Sequence, residues 1–291
     1  MKNFLNIKPV YFNKPSKLEA FKYLEKQNYL KFSKIKKFIN NNFLETHPFG
    51  YLVTDNNKNI KGFLGTMFSH RSDLNNDQSL YCNLHTWIID DDVRLRFFSE
   101  AKDLLKPIFE SKSIIFAKPV LSLIRLFERN FNISIESMSL RFSLLLNFKT
   151  FFKKEFYEVK KELVGKILNS NELQIYKDHE KLICDKLVLK DYNSNDYIFL
   201  ILLKKRKKVF FPYLEIIYTS NTNLLKQKWH VISNLLLKKY KTVFAGQNFL
   251  DEKYCFLPSN NLFFKDRTYK IVIKNMKDNS KFNTLYSEFI Y

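Results

Sequence analysis

The stretch that most constrains the fold is residues 79–106, SLYCNLHTWIIDDDVRLRFFSEAKDLLK. Its first part has the alternation of a β-strand, and its last part has the apolar spacing of an amphipathic helix. Three acidic residues lie between the two parts and predict a turn and a helix N-cap, namely Asp90, Asp91 and Asp92. We expect function at this junction, because the start of a helix presents N–H groups that have no partner within the helix.

The alternation of this strand predicts one apolar face and one face that mixes polar and aromatic groups. The apolar face consists of Cys82, Leu84, Thr86 and Ile88. The mixed face consists of Tyr81, Asn83, His85, Trp87 and Ile89. Such a mixture suits a ligand cleft better than a plain core face.

Periodicity and turn residues predict the other elements of the first half. Before the junction we expect a strand at 8–12, a helix from Ser16, a second helix at 32–43 and a hairpin whose turn lies at 55–59. The helix of the junction should run through Leu105 before Pro107 disturbs it. After it we expect a strand at 113–119, a helix at 120–130 and one or two strands at 131–146.

The second half repeats the central order of the first half. Two strands at 195–220, a helix at 221–240 and a strand at 242–249 are predicted, and the tail 281–291 suggests a last strand. Residues 148–166 have the composition of a charged connecting helix. The sequence therefore predicts two domains, 1–150 and 151–291.

The charge of the chain is +20, from 49 Lys and Arg against 29 Asp and Glu. Such a balance often indicates a polyanionic partner. The chain also has 30 Phe, 16 Tyr and only 5 Gly, a composition that A/T-rich codons produce whatever the function. No zinc-finger, RNA-recognition or basic-zipper pattern accompanies the lysines, so we do not expect a nucleic-acid partner.

The three cysteines, Cys82, Cys184 and Cys255, are far apart and lack metal-ligand spacing, so neither a disulfide framework nor a metal site is expected. The first residues, MKNFLNIKPVYF, lack the apolar core of a signal peptide. The longest apolar run, 197–203, is too short to span a bilayer. We therefore expect a cytoplasmic protein without a transmembrane segment.

Several motifs resemble the GNAT acyltransferase superfamily, especially a tandem branch associated with bacterial surface-polysaccharide genes. They are the hairpin VTDNNKNIKGFLGTMFS, the strand CNLHTWIID that runs into DDVRLR, and the later LFERNFN. The resemblance covers residues 45–145 best. It implies an α/β (α+β) fold of two GNAT-like domains, each a mixed, mostly antiparallel twisted sheet flanked by helices. It also implies transfer of an acyl group from a coenzyme A thioester to an amine or hydroxyl acceptor, such as an amino sugar.

The resemblance also implies a coenzyme site at the strand-to-helix junction. The start of the helix after Asp92 would bind the pyrophosphate through its N–H groups and dipole, and Arg94 and Arg96 would add charge-assisted bonds. The glycines that the family carries in this loop are absent here. The residues expected to contact the coenzyme are Trp87, Ile88, Ile89, Arg94, Arg96, Phe97 and Phe98.

His85 is the candidate general base, because an imidazole can accept the proton of an attacking amine or hydroxyl near neutral pH. The alternative is a histidine that only lines a cleft or the core. Asn83 is the second candidate catalytic residue, with a structural role in an irregular strand as its alternative. Phe127 stands where many family members carry a tyrosine that protonates the leaving thiolate, and phenylalanine has no proton to donate.

A second candidate group, Lys177, Asp178 and His179, is similar to a motif of the tandem branch. Asp178 and His179 are expected either to contact substrate or to form a polar loop. Loss of catalysis in both halves, leaving a binding or regulatory module, is the main alternative function. A third hypothesis, an electrostatic nucleic-acid binder, predicts an affinity that falls steeply with salt.

Overall fold

The computed structural model describes residues 5–27, 46–72, 78–109, 113–117, 119, 121–131, 133–180, 182–207, 211–249, 255, 257–258 and 267–274. These residues form two compact units. The first unit contains the described residues up to Glu136 together with 270–274, and the second contains 137–269. The chain thus divides after Glu136, whereas the sequence places the division near residue 150.

The described strands are, in chain order, β1 Asn6–Val10, β2 Gly50–Thr54, β3 Ile60–Ser72, β4 Gln78–Ile89, β5 Ser113–Ala117, β6 Ser134–Leu144, β7 Phe156–Glu158, β8 Asp185–Asp191, β9 Tyr197–Lys207, β10 Phe211–Thr219, β11 Phe244–Phe249 and β12 Arg267–Lys274. The described α-helices are α1 Ser16–Lys26, α2 Asp91–Phe109, α3 Leu121–Asn130, α4 Val164–Ile167, α5 Ser170–Asp178, α6 Thr222–Gln227 and α7 Trp229–Tyr240. Two short 3₁₀ helices span Phe148–Thr150 and Lys161–Leu163.

The sheet of the first unit has the strand order β1-β2-β3-β4-β5-β12. Its pairings are antiparallel except for β4 and β5, which are parallel because α2 connects them. The last strand comes from the C-terminal part of the chain, where Ile271–Lys274 of β12 pairs with β5. The β2–β3 hairpin closes around the turn predicted at 55–59.

The sheet of the second unit has the order β6-β11-β10-β9-β8-β7. Here too one pairing is parallel, that of β10 and β11, and the others are antiparallel. Each unit is therefore a mixed, mostly antiparallel sheet with helices against it, which confirms the predicted fold class.

Each face of the first sheet carries a core. One face packs against α2 and α3 through residues such as Leu84, Phe97 and Phe127. The other face packs against α1 through residues such as Leu24 and Phe63. In the second unit a larger cluster joins β8, β9 and β10 to α6 and α7. These buried apolar surfaces are the main stabilising contribution to both units.

Most of the predicted elements are confirmed, including the helix from Ser16, the hairpin and the strand that runs into α2. Two helix predictions are wrong in detail. Helix α2 continues through Pro107 to Phe109, because Ile108 and Phe109 are fully buried and one missing N–H near the end of a helix is tolerated. Residues 221–240 form two helices that break at Lys228.

The predicted connecting helix at 148–166 is also wrong. Its centre is strand β7, in which Phe156 pairs with Asp191 and is buried. Beyond the strand, the Val159 N–H donates to the Val188 carbonyl at 2.8 Å. Pairing with the edge of a sheet overrides the local helix preference of this segment. The predicted helix at 32–43 and the tail 281–291 lie outside the described residues.

Candidate functional site

Strand β4 has a β-bulge near its C-terminal end. Gly65 of β3 pairs with His85, and the next pair joins Leu64 to Trp87, so Thr86 is the extra residue between them. Thr86 has a φ of 39°, in the left-handed region that β-branched residues rarely adopt. A bulge reverses the alternation of side chains beyond it and bends the strand.

The predicted alternation of β4 is therefore wrong after Thr86. Trp87 and Ile89 pack against the same core cluster as Leu84, on the side of α2 and α3. Ile88, expected on the apolar face, packs instead against the cluster on the side of α1. Sequence periodicity could not predict this change, because the bulge depends on how β4 pairs with β3.

His85 lies on the opposite face from Leu84 and is buried, with 1% of its surface exposed. Its imidazole occupies the space in which a Cβ at Gly65 would lie, so the absence of a side chain at Gly65 makes room for the ring. Burial lowers the pKa of His85 to about 4, and a hydrogen bond to the Thr66 backbone only partly opposes this effect. The ring is therefore neutral at pH 7 and weakly basic.

Asn83 is fully buried and lies where β4 and β5 stop pairing. Among the described residues, the two parallel strands pair only from Tyr81 to Asn83 on β4, opposite 113–115 on β5. Strand β4 continues for six more residues to Ile89, whereas β5 ends at Ala117 and pairs with β12 along its other edge. The segment 84–89 of β4 thus extends past its pairing with β5, which is an arrangement that an extended ligand can use.

Asp90 fixes the place where β4 becomes α2. Its N–H donates to the Lys61 carbonyl at 2.8 Å. Its carboxylate accepts hydrogen bonds from the Tyr23 hydroxyl at 2.7 Å and the Gln27 amide at 3.4 Å. Burial and the hydrogen bond to Asp90 both raise the pKa of Tyr23 well above its usual value. These contacts hold the start of α2 against α1.

The two predicted phosphate-binding arginines lie on the first turns of α2. Arg94 is half-exposed, pairs with Asp91 and donates to the Ile89 carbonyl at 3.2 Å. Arg96 lies with its Nε 3.8 Å from Glu100, whose other carboxylate oxygen accepts from a backbone N–H. Arg94 is therefore half-exposed and Arg96 is partly buried, and both are already next to a carboxylate.

A third cation, which the sequence did not single out, lies beside them. The Lys61 ammonium group is 2.6 Å from the Asp92 carboxylate at the start of α2. The hydrogen bond to Asp92 raises the pKa of Lys61. Nothing in the sequence distinguishes Lys61 from the other lysines. Pairing of β3 with β4 brings it to the start of α2.

The aromatic residues of the predicted site belong largely to the core. Phe97 is buried, and Phe98 is partly buried against the same cluster. Phe127 is fully buried, with ring centroids 5.7 Å from Trp87 and 5.5 Å from Phe109. Phe127 is therefore an apolar packing residue of the core.

Asp178 and His179, the predicted substrate residues, belong to the second unit. They lie at the C-terminal end of α5 and not in a polar loop. His179 is buried, and its Nδ1 is 2.7 Å from the Ile175 carbonyl. Asp178 accepts a hydrogen bond from Gln174 at 2.7 Å. The contacts described for Asp178 and His179 are thus made to residues of the same helix, as is usual at a helix end.

The most deeply buried ion pair described in the second unit was not predicted from the sequence. Glu215 on β10 is 1% exposed and lies 2.8 Å from the Lys205 ammonium group on β9. Asn248 donates to the same carboxylate, and the Tyr213 hydroxyl lies 3.5 Å from it. A glutamate within the apolar run YLEII is the one sequence signal for this cluster.

Within the described ranges, no group of three or more His, Cys, Asp or Glu side chains is placed to hold a metal ion. In the same part of the chain, no helix is long and apolar enough to cross a membrane.

No protein-family model matches the sequence, and no curated protein sequence matches it. Solved structures do. A GCN5-related N-acetyltransferase from Kribbella flavida aligns over 93% of this chain and 71% of its own, with a TM-score of 0.57 and 6% identity. This chain has a GNAT-like fold.

Two further solved structures share the GNAT-like fold. The N-myristoyltransferase of Saccharomyces cerevisiae with bound myristoyl-CoA aligns over 98% of this chain and 84% of its own, with a TM-score of 0.52 and 10% identity. A glucosamine N-acetyltransferase region of a fungal multi-domain β-N-acetylglucosaminidase aligns over 94% of this chain and 38% of its own, with a TM-score of 0.56 and 12% identity. At such identities the likeness concerns the fold, and the chemistry has to be argued from this chain's residues.

Proposed function

We propose that the protein is an acyltransferase that takes an acyl group from a coenzyme A thioester and passes it to an amine or hydroxyl acceptor. The observation that carries this proposal is the geometry of β4. The strand stops pairing with β5 at Asn83, passes the bulge at Thr86 and leads directly into α2. One continuous segment would thus bind the extended thioester chain along β4 and the phosphates at the start of α2.

The free part of β4 suits the pantetheine arm. Pantetheine is extended and carries two amides, and residues 84–89 offer a strand edge to which such amides can bond as a neighbouring strand would. The side chains of Trp87 and Ile89 pack in the core, so the contact from these positions would come from their backbone.

The start of α2 suits the pyrophosphate. Its first N–H groups and the positive end of its dipole favour an anion, and this contribution does not need glycines. Lys61, Arg94 and Arg96 surround the helix start, each next to a carboxylate. Binding would require Arg94 to exchange Asp91 for a phosphate oxygen, which is a favourable exchange for a bidentate guanidinium group.

His85 and Asn83 are the proposed catalytic residues, since both lie on β4 where it separates from β5. A neutral His85 could accept a proton from the acceptor, although a pKa of about 4 makes it a weak base. We propose an amine acceptor, such as an amino sugar in surface-polysaccharide synthesis. The sequence resemblance and the glucosamine N-acetyltransferase neighbour support this choice.

One observation favours a second candidate function, a binding or regulatory module without turnover. Phe127 supplies no hydroxyl near Trp87, and His85 is both buried and weakly basic. The same coenzyme site would then bind a thioester and hold it without transfer.

Calorimetric titration with acetyl coenzyme A, with ATP as an anionic control, tests the proposal. We expect selective binding of the thioester, weakened about tenfold in the variant Arg94→Ala/Arg96→Ala. Arg125→Ala/Arg129→Ala is the matched control, because it removes the same charge from exposed positions on α3. Equal affinity for ATP, or full affinity in the first variant, would contradict the proposed site.

Release of free thiol from acetyl coenzyme A, measured with glucosamine as acceptor, separates the two candidate functions. Turnover that falls in His85→Gln and Asn83→Ala supports the acyltransferase. Selective binding without turnover supports the binding module.

A further inference from the structure

An open cleft of about 980 Å³ lies in the first unit, between α1, β1 and the β2–β3 hairpin. It is within the size range of pockets for small molecules. Neither the motifs named in the sequence analysis nor the proposed coenzyme site accounts for it. Its charged lining residues are Lys8, Glu19, Lys22, Lys26, Asp55 and Lys58.

The two carboxylates of the cleft are already engaged. Glu19 pairs with Lys8 at 3.3 Å. Both oxygens of Asp55 accept from Asn59, one from its backbone N–H at 2.9 Å and the other from its side chain at 3.1 Å. Asp55 keeps its negative charge, because Asn59 is neutral. The four lysines of the lining still outnumber its two carboxylates, so the cleft has a surplus of positive charge.

Once Lys8 is paired with Glu19, the other three lysines face the single negative charge of Asp55. In the described part of the chain, Lys22, Lys26 and Lys58 form no ion pair with a carboxylate within 4 Å. Lys22 and Lys26 are one turn apart on α1 and share a face of the helix. Lys58 lines the cleft from the hairpin, so the cations come from two elements of the cleft.

Lys58 is also unusual in its backbone. Its φ is 64°, in the left-handed region where glycine or asparagine is the ordinary residue. A turn that retains a lysine there carries local strain, and such strain motivates a functional hypothesis. This backbone conformation points to Lys58 independently of the charges in the cleft.

The uncharged lining residues indicate the rest of the ligand. Asn6 and Thr54 offer amide and hydroxyl groups, which bond well to hydroxylated molecules. Tyr23 is the one aromatic residue among the described residues that line the cleft, and its hydroxyl is used by Asp90. The lining therefore fits a polar, hydroxylated anion better than an aromatic base.

We propose that this cleft binds a phosphorylated, polyhydroxylated small molecule, such as a sugar phosphate. Lys22, Lys26 and Lys58 bind the phosphate, and Asn6 and Thr54 bind hydroxyl groups. The cleft is distinct from the start of α2, although Tyr23 contacts both regions. The inference does not rest on the proposed acyl transfer. The shared chemistry is the phosphate, which coenzyme A also carries on its ribose.

Titration of the full chain with glucose 6-phosphate, followed by NMR or calorimetry at moderate salt, tests the proposal. Glucose is the neutral control with the same hydroxylated body. We expect binding of the phosphate ester, no binding of glucose, and weakening by about tenfold or more in Lys22→Gln/Lys26→Gln/Lys58→Gln.

The matched control is Lys149→Gln/Lys154→Gln/Lys166→Gln, which removes the same charge from exposed lysines of the second unit. We expect less than about a twofold effect there, because these lysines do not line the cleft. Equal losses in the two triple variants, or no binding of glucose 6-phosphate, would overturn the proposal.

A second arm with 3′,5′-ADP, the corresponding fragment of coenzyme A, distinguishes the two sources of phosphate. If this fragment depends on the three lysines and glucose 6-phosphate does not bind, the sugar-phosphate proposal is overturned in favour of the coenzyme. The Arg94→Ala/Arg96→Ala variant should retain glucose 6-phosphate binding, so failure of the coenzyme site and failure of this cleft give different results.

Lys58→Gly separates ligand loss from misfolding. Glycine relieves the left-handed strain, so we expect a melting temperature at least as high as that of the wild type together with weaker binding of glucose 6-phosphate. Unchanged affinity in this folded variant would remove Lys58 from the site and contradict the proposed two-sided phosphate contact.

Discussion

Strands β4 and β10 are the central strands of the two units, and each has a bulge near its C-terminal end. The extra residue is Thr86 in β4 and Ile217 in β10. Each strand pairs antiparallel with the strand before it and parallel with the strand that follows its helix. The backbone plan is thus the same in both units.

The side chains at the two junctions differ. Helix α2 is 19 residues long and starts beside the half-exposed Arg94 and the partly buried Lys61, whereas α6 has six residues. The Asn221 side chain caps α6 by accepting from the Leu224 N–H at 2.9 Å. On the strands, a neutral buried His85 contrasts with Glu215, which is buried in an ion pair with Lys205.

This difference teaches that the shared backbone does not by itself provide a ligand site. In the second unit the Asn221 side chain caps the helix start and Lys205 pairs with the buried Glu215 carboxylate, so these groups contribute to stability. In the first unit, Arg94 lies at the surface and its carboxylate partner Asp91 is exposed, so a phosphate can replace that partner. We therefore expect substitutions at the second junction to change stability and those at the first to change ligand binding.

The largest expected effect is that of Glu215→Gln. It leaves the Lys205 charge without its buried carboxylate, which should lower the free energy of unfolding by about 4 kcal/mol. Urea unfolding followed by circular dichroism measures it. Glu158→Gln is the control, because Glu158 pairs with Lys239 at the surface, where loss of a pair should change stability by less than about 1 kcal/mol. Similar effects in both variants would contradict the structural role of Glu215.

The next effect concerns pH. The pKa of His85 is about 4 in the folded protein and about 6.5 when exposed, so the unfolded chain binds the proton more readily between these values. The contribution of His85 to stability is therefore present above pH 6.5 and is lost as the pH falls to 4, by about 3 kcal/mol in total. The free energy of unfolding of the wild type should therefore fall more steeply between pH 6.5 and pH 4 than that of His85→Gln. Equal pH dependence in the two proteins would show that the ring is not buried in solution.

Gly65→Ala should lower the free energy of unfolding by about 2 kcal/mol, because the new Cβ would overlap the His85 ring. The double variant Gly65→Ala/His85→Ala should recover part of that loss, since the ring is then absent. Gly165→Ala in α4 is the control, where an added Cβ meets nothing within 4 Å and should be neutral or stabilising. Lack of recovery in the double variant would show that Gly65 acts through another neighbour.

The smallest expected effect is that of Asn221→Ala, which removes the cap of α6. It should lower the free energy of unfolding by about 1 kcal/mol and leave the affinity for acetyl coenzyme A unchanged. Thermal unfolding and calorimetric titration measure the two quantities. A weaker affinity for the coenzyme would mean that the second junction also takes part in binding, and the contrast between the units would fail.

Local patterns predicted the elements that local interactions stabilise. The helix from Ser16, the hairpin turn at 55–59 and the strand that leads into α2 follow from periodicities and turn residues within a few residues of each other. The same logic failed at 148–166, where Phe156 is stabilised by pairing with β8, a strand some thirty residues away along the chain. The strand-to-helix segment of the candidate coenzyme site was predicted, but the packing of Trp87 and Ile89 in the core was not.

By itself, the sequence determined many of the strands and helices, the GNAT-like class and the strand-to-helix junction at Asp90–Arg96, but not strands β7, β8 and β12. Only the tertiary structure decided which face of β4 each side chain occupies, because the bulge at Thr86 depends on the register with β3. It also decided that His85 is buried over Gly65, that Glu215 meets Lys205 and that three lysines share one cleft. Periodicity is a property of neighbouring residues, whereas burial, pKa and charge balance depend on residues that meet only when the sheets form.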